Sequence, residues 1–522
     1  MTRPSTVAKD ELLLGVDIGT ASVKGVLTTP DGTVVATARV PHELSVPRPG
    51  WAEHDAERTW WAGPVRVVRE LLSDVPGDRV RGVAISGIGP AMCPTDAHGE
   101  PLRPAILYGI DVRAAREGAH LEQVLGRETI LARTGSVLTS QALGPKLLWF
   151  RTHEPELFAR TAFLLPASAF LLRRLTGEYA IDQHTACYFN PLFDINAGTW
   201  VDDPTWRDAV LGEQAVELPR VQWTLETAGE VTPAAAGVTG VPAGTPVTVG
   251  TIDSLAEALS VGVRAPGDLM IQYGSTLYLI LVSRVLEVDE RFWSTSFAAP
   301  GSIGVEAGMA AAGLLTEWFR SILGEPAPSF DELVAEAVLT DPGADGLVAL
   351  PYFSGERAPI HDPDALGLLF GLTLRHRRGH VYRALLESTA LGTRHILDGL
   401  AEIGGHATRA VAVGGGATTT SWPQIVSDVT GLEQELPDVT VGASYGDAWI
   451  AGVASGLVDA RDDWTRIRHH IVPAPDNGVY AERYEVYREL YRSTRDLMHR
   501  VAHAQRERAP VGEGGFPEGP VA

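Results

Sequence analysis

Cysteine is nearly absent. Cys93 and Cys187 are the only two in 522 residues, so there is no disulfide framework and no thiolate set at metal-ligand spacing, which fits a reducing compartment. No window is an unbroken apolar run long enough to cross a bilayer. No apolar stretch follows the charges of the first residues, so a signal peptide is not expected. Basic residues are outnumbered, 43 Lys and Arg against 65 Asp and Glu, for a formal net charge of −22 and a pI near 5.1. Without a basic stripe to neutralise phosphates, the chain does not read as a nucleic-acid binder. Its acidity is spread along the sequence and serves solubility. The G-x-G-x-x-G fingerprint with its downstream acid is missing too, which argues against a dehydrogenase.

What the chain does have is apolar material, 45% of residues at a mean hydropathy of +0.03. Its length allows two or three cores. Leu12 to Leu27 reads as two strands folded back at Gly19 to Ser22. The glycine lets backbone N–H groups approach an anion, and Thr20 and Ser22 add hydroxyl donors. Asp17 ends the first strand, where it can hold a hydrated Mg²⁺ over that anion. Half a chain later Asp268 to Leu281 repeats the pattern, with Gly274, Ser275 and Thr276 at the turn. Two phosphate-type hairpins imply two similar lobes closing on one nucleotide. The other reading, two ordinary hairpins, stays open on these stretches alone.

Further elements follow in order. Thr33 to Arg39 reads as a third strand and Arg81 to Ser86 as a buried one, broken by Gly87-Ile88-Gly89-Pro90 at its carboxyl end, where ligands gather in open α/β sheets. In Leu107 to Arg113, Tyr108 can stack on a sugar face, while Asp111 and Arg113 can bind hydroxyls or pair with each other. Leu143 to Glu154 and Phe163 to Thr176 have helical spacing, and Asp194 to Pro204 reads as a surface excursion. Thr245 to Glu257 is a β-branched strand running into a helix. There Ser254 and Glu257 can form a capping box, with Asp253 a charge beside the helix dipole. The same placement suits a base, because an aspartate at a helix N-terminus is expected to stay ionised at neutral pH. Glu306 to Phe319 is expected to turn helical, with Gly313 where a nucleotide can lie close to the backbone. Glu356 and Arg357 are expected to form an ion pair. Arg409 to Val413 is a strand entering Gly414-Gly415-Gly416, followed by a helix capped by Ser421. Residues 1 to about 10 read as a loose leader, and 505–522 as a disordered tail.

Together these stretches resemble the FGGY family of carbohydrate kinases, within the actin-like ATPase superfamily, from about residue 11 to 460. Pro145 to Glu154 resembles the family's first signature, and Gly367 to Leu372 with His380 to Glu387 its second. Leu102 to Leu107, Pro145 to Trp149 and Pro351 to Arg357 are most similar to the xylulokinases. The resemblance implies an α/β protein of two actin-like (ribonuclease H-like) lobes around a central cleft. The expected division is 10–256 for the sugar-binding lobe with the first phosphate loop and 257–500 for the nucleotide-binding lobe. It implies ATP and Mg²⁺ as cofactors, a small sugar or polyol as the other substrate, a cytoplasmic enzyme and a homodimer as the assembly to look for. Carried over residue by residue, it makes Asp253 the catalytic base and Asp17 the residue near Mg²⁺. Gly19, Thr20 and Ser22 fall in the first phosphate turn and Gly274, Ser275 and Thr276 in the second. Gly313, Gly415, Gly416 and Thr420 line the nucleotide; Gly89, Pro90, Tyr108 and Asp111, with Asp253, face the sugar. Gly446-Asp447-Ala448 falls on a structural connecting helix. One loop departs from the pattern. Xylulokinases carry Met-His-Gly, and glycerol kinases Arg-Glu, where this chain has Gly89, Pro90 and Ala91. Trp-x-Asp-x-Arg appears as Tyr108-Gly109-Ile110-Asp111-Val112-Arg113. The resemblance makes a ketopentose, D-xylulose first, the expected acceptor, and the departing loop leaves another pentulose, a tetritol or polyol, or a sugar acid as alternatives. An inactive sugar sensor on the same scaffold is the reading from another class.

Overall fold

The computed structural model describes residues 11–508 except 214–215, 286–287, 439–440 and 476–477. The expected leader 1–10, and the expected tail from 509 onward, lie outside the described residues. Strand β1 (Leu12–Ile18) is buried along its whole length. It is covered on both faces, which is why its sequence is a continuous apolar run rather than an alternation. It pairs antiparallel with β2 (Ser22–Thr28), which pairs in turn with β3 (Val34–Pro41), and parallel with β4 (Val80–Gly87). The first sheet is completed by β5 (Thr227–Glu230) and β6 (Pro246–Thr248), in the order β5-β6-β4-β1-β2-β3, with β7 (Thr251–Ile252) also beside β4.

The second sheet repeats this plan. Its centre is β8 (Asp268–Tyr273), antiparallel to β9 (Leu277–Ser283). The remaining strands are β10 (Trp293–Ser296), β11 (Ile303–Met309), β12 (Arg409–Val413), β13 (Gln434–Pro437) and β14 (Ile467–Ile471), and the order is β10-β11-β9-β8-β12-β13-β14. As β1 lies between its hairpin partner and parallel β4, so β8 lies between β9 and parallel β12. Each half thus ends its central hairpin in a glycine turn at the same topological position.

Four helices frame the space between the sheets: α1 (Asp253–Ser260), α2 (Gly313–Ser321), α3 (Ser421–Thr430) and α4 (Ala443–Ala454). α4 comes from the end of the chain yet packs on the first sheet. A Cβ on Gly15 of β1 would lie 1.9 Å from the Ser444 carbonyl oxygen, and one on Gly446 of α4 1.9 Å from that of Ala256 in α1. Backbones at such distances leave no room for side chains, so glycine is required at both crossings. A shared core results, with Leu13, Val26 and Ala84 of the first sheet, Met270, Ile280 and Val411 of the second, and Ala448 and Ile450 of α4. That contact keeps the two sheets in register with each other. The boundary expected at 256–257 falls inside α1, and the second sheet begins at Asp268.

Several local expectations need correction. Phe163–Leu165 is a strand, and the helix there is Ala167–Thr176. Pro166 disfavours helical backbone at Leu165, which the apolar spacing hid. The turn to helix expected within Glu306 to Phe319 is observed, Ile303–Met309 being strand and α2 beginning at Gly313. The capping box at Ser254 does not form. The cap position is Ile252, and the Ser254 N–H instead donates to Asp253 Oδ1 at 2.8 Å. Thr420, not Ser421, precedes the first turn of α3. The last helix, Val479–Arg508, runs through residues 505–508 that were read as tail. None of the described helices is long and apolar enough to cross a membrane.

Candidate active site

Both glycine turns are closed by the glycine N–H, across a four-residue loop in the first and a three-residue loop in the second. Gly19 N–H donates to the Ser22 carbonyl and Gly274 N–H to that of Thr276, both at 3.0 Å. Added Cβ atoms would meet those carbonyl oxygens at 3.2 and 3.3 Å. The second turn is seated on α2, where Ala312 and Leu314 N–H donate to the Ser275 carbonyl and Gly313 N–H to that of Gly274, all at 3.0 Å. A Cβ on Gly313 would sit 2.6 Å from the Gly274 oxygen. The small size of Gly313 is therefore used to press the helix against the turn. Gly416 similarly backs onto the ring of Trp422 and the Cβ of Tyr273, while Gly415 faces open space. Thr420 is exposed beside it. Ser22 is buried, and its hydroxyl accepts from Arg39 Nε at 3.2 Å.

Between the turns lies a group of carboxylates. Burial lifts the Asp253 carboxyl to about 8; Asp17 and Glu257 push the same way, and the Ser254 N–H and Lys24 oppose them. Burial also raises Asp17 to about 6, against Lys24 and Ser86. Glu257, one turn along α1 from Asp253, rises to about 7 for the same reason, with Asp17 adding to it. Asp447 of α4 is fully buried. Its Oδ2 accepts from Ser86 Oγ at 2.7 Å, and its Oδ1 has no hydrogen-bond partner among the described residues. The expectation that a helix N-terminus keeps Asp253 ionised at neutral pH thus fails for the ligand-free protein. A terminal dipole is worth about 0.3–1 kcal/mol, less than desolvation among like charges.

Lys24 is the cation facing this group. It stands opposite Asp17 across the hairpin, and it is one of only three lysines in the chain, with Lys9 and Lys146. Sequence reasoning missed both Lys24 and Glu257. Cross-strand pairing from the Gly19 turn would have found the first, and an i, i+4 step from Asp253 the second. The donor set suits a divalent cation that keeps most of its water and phosphate ligands. Carboxylate charge is in excess and one buried oxygen is unmatched, yet no group of three or more Asp, Glu, His or Cys among the described residues is arranged to chelate a metal outright.

The loops read from sequence as sugar-facing are built on the first lobe. A Cβ on Gly89 would meet the Ile252 side chain at 2.4 Å, so the loop carrying Gly89 and buried Pro90 lies against the residue preceding Asp253. Tyr108 is partly exposed, with its hydroxyl 3.4 Å from Thr20 Oγ1. Its loop is braced by Lys146, whose ammonium donates to the carbonyls of Leu107 and Ser140 at 2.6 and 2.7 Å. Burial lowers that lysine to about 7. Asp111 is fully buried and accepts from Ala52 N–H at 2.7 Å and from the guanidinium of Arg113 at 2.6 Å. Of its two readings, the structure shows the ion pair. Arg113 in turn reaches Glu53 at 2.8 Å and lies over the Trp51 ring. From the second lobe Arg357 acts electrostatically on Tyr108. The expected Glu356–Arg357 side-chain pair is replaced by backbone contacts, with Glu356 Oε1 accepting the N–H groups of Ala310 and Arg357 at 2.8 and 2.7 Å.

Comparison with known proteins gives consistent matches. The model described as the FGGY family of carbohydrate kinases, N-terminal domain, matches residues 12–260, and its C-terminal counterpart matches 269–455. Xylulose kinase of Escherichia coli K12 is 30% identical over 93% of this chain and 100% of that protein. L-xylulose/3-keto-L-gulonate kinase of the same organism is 29% identical, over 91% and 96% respectively. The crystal structure of xylulose kinase from Rhodospirillum rubrum superposes with a TM-score of 0.87 at 34% identity, covering 94% of this chain and 100% of that one.

Proposed function

Because the chain belongs to the FGGY family of carbohydrate kinases, and is therefore an ATP-using sugar phosphotransferase, we propose that its acceptor is a ketopentose, D-xylulose to xylulose 5-phosphate first. The observation that carries the site assignment is the position of Asp253. It stands beside Asp17 and the first turn, while the next residue, Ser254, reaches Tyr278 just beyond the second. In this reading the chain divides into a sugar-binding part, 10–256, and a nucleotide-binding part, 257–500.

The sugar lies between the Gly89-Pro90 loop, Tyr108 and Asp253. The backbone N–H groups of the Gly19 and Gly274 turns, with Thr20, Ser275, Thr276 and Lys24, hold the phosphates. The open face at Gly415 and Thr420 takes the adenosine. Asp17 would hold Mg²⁺ through water, with Glu257 nearby, and the ion supplies charge neutralisation on the transferring group. Asp253 orients the sugar hydroxyl and accepts its proton as the oxygen forms a bond to the γ-phosphorus and the bond to ADP breaks. Its carboxyl must be ionised to do so, and a divalent cation held at Asp17 would lower it from about 8. The acceptor's far end meets Tyr108, with Arg357 contributed by the opposite lobe.

One observation favours a second acceptor class. Gly89, Pro90 and Ala91 replace a polar sugar-reading loop, and Arg357 supplies positive charge beside Tyr108, which suits a sugar acid. ATP consumption with a panel of pentuloses, tetritols and hexonic acids decides. D-xylulose with the highest kcat/KM supports the proposal, a hexonic acid favours the second reading, and no turnover with any supports a sensor. Asp253→Asn should lower kcat by about 10²–10⁴-fold with ATP affinity retained; near-normal turnover removes Asp253 from the base role.

A further inference from the structure

A phosphate turn is placed only as well as its backbone is held. Inside the first turn one bond, Gly19 to Ser22, closes the loop, and the Thr20 carbonyl points away from it. That oxygen meets His54 Nε2 at 3.1 Å, and the other ring nitrogen, Nδ1, meets Trp60 Nε1 at 3.2 Å. A carbonyl only accepts and an indole N–H only donates, so the imidazole is the neutral Nε2–H tautomer. His54 is 1% exposed and Trp60 0%. Burial, with His42 edge-on at 4.8 Å, keeps the ring uncharged.

The backbone of His54 is bound elsewhere. The short strand Glu53–His54 pairs with Ala105–Ile106, which leads directly into Tyr108. A ring of contacts closes: His54 side chain to Thr20, Thr20 hydroxyl to Tyr108, and the Tyr108 strand back to His54.

Resting on the kinase reading above, we propose that His54 is a positioning residue that fixes the phosphate-turn Thr20 relative to the sugar-facing Tyr108, its tautomer set by Trp60. Misalignment of reacting groups by about 1 Å costs up to about 10²-fold, so the effect falls on kcat. His54→Gln keeps an N–H for Thr20 and an oxygen for Trp60; His54→Leu keeps bulk and loses both. The Leu variant should lose about 10–100-fold in kcat with both KM values within about threefold, and the Gln variant should stay close to the parent. In the ligand-free parent, ¹⁵N–¹H spectra should show a neutral His54 protonated on Nε2, and Trp60→Phe should disturb that signal. A Gln variant as slow as Leu, an unaffected Leu variant, or an Nδ1–H signal overturns the proposal. If Leu fails to fold, the Gln variant and the tautomer decide. A parent inactive on every sugar defeats the proposed function instead; the tautomer then decides this one, an Nε2–H signal disturbed by Trp60→Phe supporting it and an Nδ1–H signal refuting it.

Discussion

At the scale of single residues, the site is governed by burial acting on charge. Burial raises Asp253 to about 8, so the sugar kcat/KM at saturating ATP should rise with pH through an acid limb at or below that value, because only the ionised base accepts a proton. Asp253→Asn should abolish the limb together with the activity. A limb that survives in the variant reports another group. Asp111 shows burial used differently. It neutralises the fully buried Arg113, and removing one partner of such a pair leaves an uncompensated charge, at about 3–5 kcal/mol. Asp111→Ala should therefore lower stability by about that amount in urea unfolding; an unchanged midpoint would mean that Arg113 finds Glu53 sufficient.

At the scale of elements, close backbone contact decides. α4 reaches β1 and α1 only because Gly15 and Gly446 present no side chains, each with 1.9 Å from a would-be Cβ to a carbonyl oxygen. Gly446→Ala should cost at least about 1–3 kcal/mol, the range for overpacking, with loss of thermal stability in calorimetry. Gly313→Ala acts on the second turn instead. The methyl group would displace the Gly274 carbonyl, so the KM for ATP should rise more than the KM for sugar. Equal rises would detach Gly313 from the nucleotide.

At the scale of the whole molecule, folding buries carboxylates that the folded protein holds protonated more tightly than the unfolded chain does. Asp17, Glu257, Asp253 and Glu356 are raised to about 6, 7, 8 and 8. Between roughly pH 4 and 8 the native state binds the more protons, so this contribution to stability is full at low pH and is lost as pH rises. Lys146, lowered to about 7, acts in the opposite sense from there to its unfolded value, and His54 and His395, both lowered to about 4, do so below about pH 6.5. The Tm of ligand-free protein should fall between pH 6.5 and 8, and Mg²⁺–ADP should flatten the fall. A Tm that climbs over this range would show that the cleft charges are compensated without ligand.

Much of this was legible in the residues. The continuous apolar run of β1, the paired glycine turns and the aspartate entering α1 follow from local patterns of period and turn chemistry, which depend on near neighbours in the chain. The strand at Phe163–Leu165 and the failed cap at Ser254 were misread because helical spacing and capping motifs are indifferent to what packs against them. Lys24 opposite Asp17 was within reach of hairpin pairing, but the coupling of Glu257 to Asp17 and the His54 contact to Thr20 join residues separated by 240 and 34 positions, and no local signal records such distances. Sequence alone determined the strands, the turns and the kinds of group they carry. Their mutual placement, and with it the protonation of Asp253 and the meeting of Thr20 with Tyr108, was settled only by folding, because burial and electrostatic coupling act through space.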